Sequence, residues 1–101
     1  MNAVDVIEAD DYNVTLLAVA LDITPLLARM VAAMLSKPAC PPSELRKMNA
    51  SVSVYIHRLR RKLSKFGVDI ENRYGVGYVI SPECRAVIRE RVRLYEMDVA
   101  A

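Results

Sequence analysis

The sequence predicts an α+β fold in a single domain over residues 1–101: a small N-terminal antiparallel sheet (1–23), a three-helix core (24–66), a C-terminal β-hairpin (68–81) and an added C-terminal helix (82–97). Three observations predict it. Thr24-Pro25 and Ser81-Pro82 each place a hydroxyl cap before a proline, the usual chemistry of a helix start. Apolar residues recur at three- and four-residue spacing from Leu26 to Leu35 and from Val52 to Phe66, as a core-facing helix stripe requires. Gly75-Val76-Gly77 separates two short β-prone runs, the pattern of a hairpin turn. A chain of 101 residues is of single-domain size, and no repeat, low-complexity tract or linker divides it.

Along the chain, Val4 to Glu8 is a short β-prone run and Asp10 to Asn13 is turn chemistry. Val14 to Leu21 is almost wholly apolar. A strand and a helix are both compatible with it, and its length and flanking turn residues favour a buried strand. From Thr24 to about Ser36 runs a helix with Leu26, Leu27, Met30, Val31, Met34 and Leu35 facing the core. Lys37-Pro38-Ala39-Cys40-Pro41-Pro42 is a stiff connector that no helix crosses. Ser43 to Met48 forms a short helix capped by Ser43 or Pro42. After Asn49-Ala50, Ser51 caps a longer helix that runs to about Lys65, and Gly67 stops it. Val68 to Arg73 and Tyr78 to Ile80 supply the hairpin strands.

The aromatics are five Tyr and one Phe, so aliphatic side chains must dominate the core. The net charge of +2 hides an uneven distribution. Residues 1–36 carry one basic residue against five acids, residues 43–79 carry eight against three, and residues 80–101 balance four against four. A localised basic segment is the electrostatic signature of a polyanion partner. Cys40 and Cys84 form no CxxC pair and have no neighbouring His, so both are read as reduced cytoplasmic thiols. No basic segment followed by an apolar run opens the chain, and its longest apolar stretches are too short to span a membrane. The expectation is a cytoplasmic protein with no membrane partner. His57 is the single histidine and lacks carboxylates or thiols at ligand spacing. No nucleophile elbow, P-loop or dinucleotide fingerprint occurs, so neither an enzyme, a metal nor a cofactor is expected.

Ser51 to Lys65 carries the functional argument. Val52, Ile56, Leu59, Leu63 and Phe66 form one apolar stripe. The opposite surface presents Ser51, Val54, Arg58 and Arg61, flanked by Tyr55, His57, Arg60, Lys62 and Lys65. An α-helix fits the major groove of DNA, where Arg bonds guanine O6 and N7 together, and flanking cations neutralise phosphates. A basic amphipathic helix by itself is as readily a solvated face. The hairpin adds weight: Arg73 beside a glycine turn packs little core and is suited to carry a cation to a neighbouring minor groove.

Val52-Ser53-Val54-Tyr55-Ile56-His57-Arg58-Leu59-Arg60-Arg61-Lys62-Leu63, followed by Ile70 and Gly75-Val76-Gly77-Tyr78, resembles the winged helix-turn-helix DNA-binding domain of OmpR/PhoB-type response regulators. Those domains carry a V-D-V-x-I-x-x-L-R-x-K-L helix and a G-x-G-Y wing. The likeness extends more weakly back through Leu21-Asp22-Ile23-Thr24-Pro25. The resemblance implies sequence-specific binding of double-stranded DNA for transcriptional control, with the recognition helix in the major groove. It places Arg58 where the principal base-reading Arg stands, and Ser51, Ser53 and Val54 at neighbouring base or methyl contacts. It places Tyr55, His57 and Arg60 at phosphate-facing positions; helix geometry adds Arg61 and Lys62. Asn72 matches a wing position that touches the DNA backbone. The family's wing Arg falls directly before the first glycine, where this chain has Tyr74, and Arg73 comes one residue earlier. A one-residue shift on a strand reverses the side-chain face, which turns Arg73 away and leaves Tyr74 to lie along the backbone.

Other departures narrow the expectation. No phosphoacceptor module accompanies the likeness, so Asp10-Asp11 is read as a turn rather than an acid pocket. Related activators touch RNA polymerase through a longer loop where this chain has only Met48-Asn49-Ala50, which favours a repressor or accessory factor over an activator. The C-terminal helix is extra. Its stripe of Cys84, Ile88, Val92, Tyr95 and Val99 suits packing within the chain, or a homodimer interface through Ile88, Val92 and Tyr95 that would pair two half-sites. Its row of Arg85, Arg89 and Arg93 would face DNA or the acidic N-terminal segment. The competing function is a protein-interaction module that binds another regulator or RNA polymerase. The expected location is a bacterial nucleoid or a phage-infected host cell.

Overall fold

The computed structural model describes residues 11–100, with side chains over 14–97. It is an α+β fold of five α-helices and one two-stranded antiparallel sheet among those residues. The elements are α1 (Asp11–Leu21), α2 (Pro25–Leu35), α3 (Pro42–Arg46), α4 (Val52–Leu63), β1 (Glu71–Arg73), β2 (Gly77–Val79) and α5 (Pro82–Ala100). A radius of gyration of 12.8 Å is what a close-packed chain of this length should have.

The expected N-terminal sheet is corrected in part. Val14 to Leu21 is a helix, as are the three residues before it that were read as a turn. Val4 to Glu8 and Asp10 lie outside the described residues. The helix was concealed because its outer face is also apolar. Leu17, Ala20 and Leu21 are buried, while Thr15 and Val19, one turn apart, face outward. Only the four-residue interval between the exposed positions marks the period, and Val19 is itself hydrophobic. Asp22 ends α1 in the left-handed region at φ 54°. The Ile23 N–H donates to the Ala18 carbonyl at 2.9 Å and the Asp22 N–H to Val19 at 3.3 Å, the paired bonds of a Schellman stop.

The helical core follows expectation more closely. Thr24 caps α2, its Oγ accepting from the Leu27 N–H at 3.3 Å, with Pro25 in the first turn. Leu27, Met30, Val31, Met34 and Leu35 are buried. α3 begins with Pro42 after an N-cap at Pro41, so Ser43 is not its cap. Ser51 stands at the start of α4 but its side chain makes no capping bond. Its N–H donates instead to Asn49 Oδ1 at 2.8 Å. Val52, Ile56, Leu59 and Leu63 are buried, as the stripe demands. A single 3₁₀ turn (Ser64–Phe66) extends α4, and Gly67 at φ 74° closes a second Schellman stop, with Val68 N–H donating to Leu63 at 3.2 Å.

The hairpin is shorter than expected. Glu71 pairs with Val79, Asn72 with Tyr78 and Arg73 with Gly77. Val68 and Ile70 are buried in the unpaired lead-in. The Val76 N–H closes the turn on the Arg73 carbonyl at 2.9 Å, with Gly75 at φ 77° in its third position. The proline-rich connector takes part in this structure. Cys40 and Tyr78 exchange both backbone hydrogen bonds at 2.8 Å. Gly77 lies so close to this crossing that a Cβ would strike the Cys40 carbonyl. Burial pushes the Cys40 thiol pKa up, which keeps it protonated in the core.

Ser81 precedes α5 and caps it, its Oγ accepting from the Cys84 N–H at 3.2 Å. It packs beside α1, with Ile88 fully buried and Val87 and Val92 half-buried against the core. Ile88 therefore cannot serve a dimer interface, a correction that follows from its place in the chain's own core. Val99 lies outside the described side chains. Arg85 is not a surface cation. Its guanidinium donates to the carbonyls of Ile80 (2.8 Å), Leu35 (2.8 Å), Met34 (3.1 Å) and Lys37 (2.6 Å). These include carbonyls that the end of α2 would otherwise leave unpaired.

Candidate nucleic-acid interface

The apolar stripe of α4 turns its opposite surface outward. Ser51, Ser53, Val54, His57, Arg58, Arg61 and Lys62 are all exposed, and Tyr55 is half-buried with its ring against the core. The sequence had assigned this set to base and phosphate contacts, and the fold brings it onto one continuous face. Arg58 rests its guanidinium 5.2 Å from the Tyr55 ring centroid, a cation–π arrangement that orders a long side chain without neutralising it.

Arg60 is the exception, and its assignment is corrected. It is half-buried, and its Nε and Nη2 both donate to the Ile70 carbonyl, at 3.1 and 2.8 Å. It holds the entry to β1 rather than facing solvent. Period alone could not have indicated this, because Arg60 lies at the edge of the buried stripe and its partner is ten residues away.

Several cations outside α4 are paired with carboxylates, while Arg29, Arg46 and Arg91 have no such partner among the described residues. Lys37 and Lys47 both lie 3.5 Å from Glu44, and these two cations, Lys37 first, hold its carboxyl below the usual carboxylate range. Lys65 meets Asp22 at 3.4 Å and Arg73 meets Glu71 at 3.1 Å. Arg93 bonds Glu90 through Nε at 2.9 Å, which lowers the Glu90 pKa. Among the described residues, His57, Arg58, Arg61 and Lys62 have no carboxylate partner.

Beside this face lies an open groove of about 420 Å³ lined by Thr24, Leu27, Tyr55, Arg58, Arg61 and Lys62. Thr24 was read only as a helix cap. Nothing in the sequence shows that it stands opposite α4. The hairpin also points outward: Glu71 through Val76 are all exposed, and Tyr74 at the turn is wholly so. Asn72, Arg73 and Tyr74 thus reach solvent, but Arg73 is tied back to Glu71. On the α1–α5 side, Val19, Leu94 and Met97 are exposed apolar residues, and Tyr95 and Val92 are half-buried.

Among the described residues, no group of three or more His, Cys, Asp or Glu is placed to hold a metal ion. No single described helix is long and apolar enough to cross a membrane. No family model, curated protein or solved structure matches the chain.

Proposed function

We propose that this chain is a winged-helix protein of the OmpR/PhoB type that binds double-stranded DNA in a sequence-specific manner, as a transcriptional repressor or accessory factor. In this reading α2, α3 and α4 are the three-helix core, α4 is the recognition helix and β1–β2 is the wing. The observation that carries it is the outward face of α4, where His57, Arg58, Arg61 and Lys62 stand exposed and have no carboxylate partner among the described residues, while the opposite face is core. A cationic helix face left unneutralised favours a polyanion, and a protruding helix is the shape the major groove accepts. Arg58, Val54, Ser51 and Ser53 would meet base edges; His57, Tyr55, Arg61 and Lys62 would meet phosphates.

The test is selection of bound sequences from random duplex DNA, followed by anisotropy titration of Arg58→Ala on the selected site. Loss of a bidentate base contact weakens specific binding by about 1–3 kcal/mol, roughly 5- to 150-fold. Unchanged specific affinity in a folded Arg58→Ala variant would refute the readout.

A second reading, a module that binds another regulator or RNA polymerase, is favoured by one observation. Val19, Ala20, Arg91, Leu94 and Tyr95 line a separate groove of about 360 Å³ between α1 and α5, away from the α4 cations. Salt discriminates. Duplex binding through several phosphates weakens steeply with added salt, whereas a protein contact that releases no condensed counterions does so far less.

A further inference from the structure

The groove between the start of α2 and the side of α4 has the chemistry of a seat for one oxyanion. Its floor is Leu27, which is buried. Its other lining residues are Arg58, Arg61, Lys62, Tyr55 and Thr24, the last two bearing hydroxyls. Among the described residues, no acidic side chain lines it and none of the three cations has a carboxylate partner. Thr24 Oγ accepts from the Leu27 N–H, which leaves its own hydrogen to donate. The volume holds a phosphodiester with several waters, each of which takes about 30 Å³.

The source of the anion follows from continuity. Arg58 and Arg61 belong both to this groove and to the outward row of α4 that begins at Ser51 and Val54. An anion seated here lies at the margin of the surface that would face base edges, which is where a strand's backbone runs when a helix occupies the major groove. We propose that this groove seats a single backbone phosphate of duplex DNA, held by Arg61 and Lys62 and oriented by the hydroxyls of Thr24 and Tyr55. The proposal rests on the DNA-binding reading above. It assigns to α2, through Thr24, a part in docking that the α4 face alone does not supply.

The test is the affinity of the full chain for a random-sequence duplex pool across a range of salt concentrations. Lys62→Gln, an exposed position, should make the log–log salt slope shallower by about one, the share of one phosphate contact. Tyr55→Phe should weaken binding about two- to tenfold, the worth of one hydrogen bond, with the slope unchanged. Arg29→Gln, an exposed position on α2 outside the groove, should alter neither. Inorganic phosphate, titrated while backbone amides at Thr24 and Tyr55 are followed by NMR, should give only weak, non-saturating shifts.

If Lys62→Gln keeps the wild-type slope while the wild type binds duplex, the phosphate seat is overturned and the DNA reading stands. If the wild type shows no salt-sensitive duplex affinity, both fall. Saturation of the groove by inorganic phosphate, without duplex binding, would make it a site for a free anion and likewise overturn the backbone assignment.

Discussion

The outer face of α4 and the outer part of the hairpin, from Glu71 through Val76, are both exposed and differ in how their charges are spent. On α4, His57, Arg58, Arg61 and Lys62 stand without carboxylate partners among the described residues. On the hairpin, the only cation, Arg73, is bonded to Glu71 at 3.1 Å, and the turn beyond it presents Tyr74, Gly75 and Val76. Exposure alone would rank the two surfaces together. Pairing separates them, because a cation already opposed by a carboxylate offers less to an incoming phosphate. In the proposed DNA complex the helix would carry the long-range attraction, and the hairpin would offer shape and an aromatic ring.

The comparison can be broken most severely at Gly77. Gly77→Ala places a methyl group against the Cys40 carbonyl at a backbone φ of 134°, where an L side chain is strained. A loss of about 3 kcal/mol in chemical denaturation is expected. A near-neutral result would mean that the connector does not constrain the hairpin. Arg60→Ala comes next. It leaves the Ile70 carbonyl without its guanidinium donor and should cost about 1.5–3 kcal/mol of stability. If it instead weakens duplex binding with stability intact, Arg60 belongs to the phosphate-facing set after all. The smallest effect and the sharpest discrimination come from Glu71→Gln. Releasing Arg73 should leave stability within about 0.5 kcal/mol, since exposed pairs contribute little. It should also steepen the salt dependence of duplex binding by up to about one phosphate's share, making the hairpin resemble α4. An unchanged slope would show that the hairpin does not approach DNA closely.

The sequence made α2 legible through its Thr24-Pro25 start and its proline-rich stop, and α4 through a polar side that contrasts with its apolar stripe. α1 lacked that contrast. Val19 faces solvent yet is as hydrophobic as its buried neighbours, so the period of the run was masked. The exposed cations of α4 were legible from helical spacing. The fate of Arg60 and Arg85 was not, because each ends on carbonyls supplied by distant chain, and an arginine's destination is a tertiary property. The same holds for the Cys40–Tyr78 crossing and for Thr24 in the groove. Both join segments that no local pattern relates.

The arrangement around Arg85 bears on how the molecule opens. One guanidinium holds the last turn of α2, the connector at Lys37 and the residue that follows β2. Their amides should exchange with solvent in a single cooperative event, together with the first turns of α5. Past Val92, the side chains from Arg93 to Met97 are mostly exposed, and this part of α5 should open on its own. α5 is thus two segments in kinetic terms: a clasp that opens only with the core, and an outer stretch that opens many times before it.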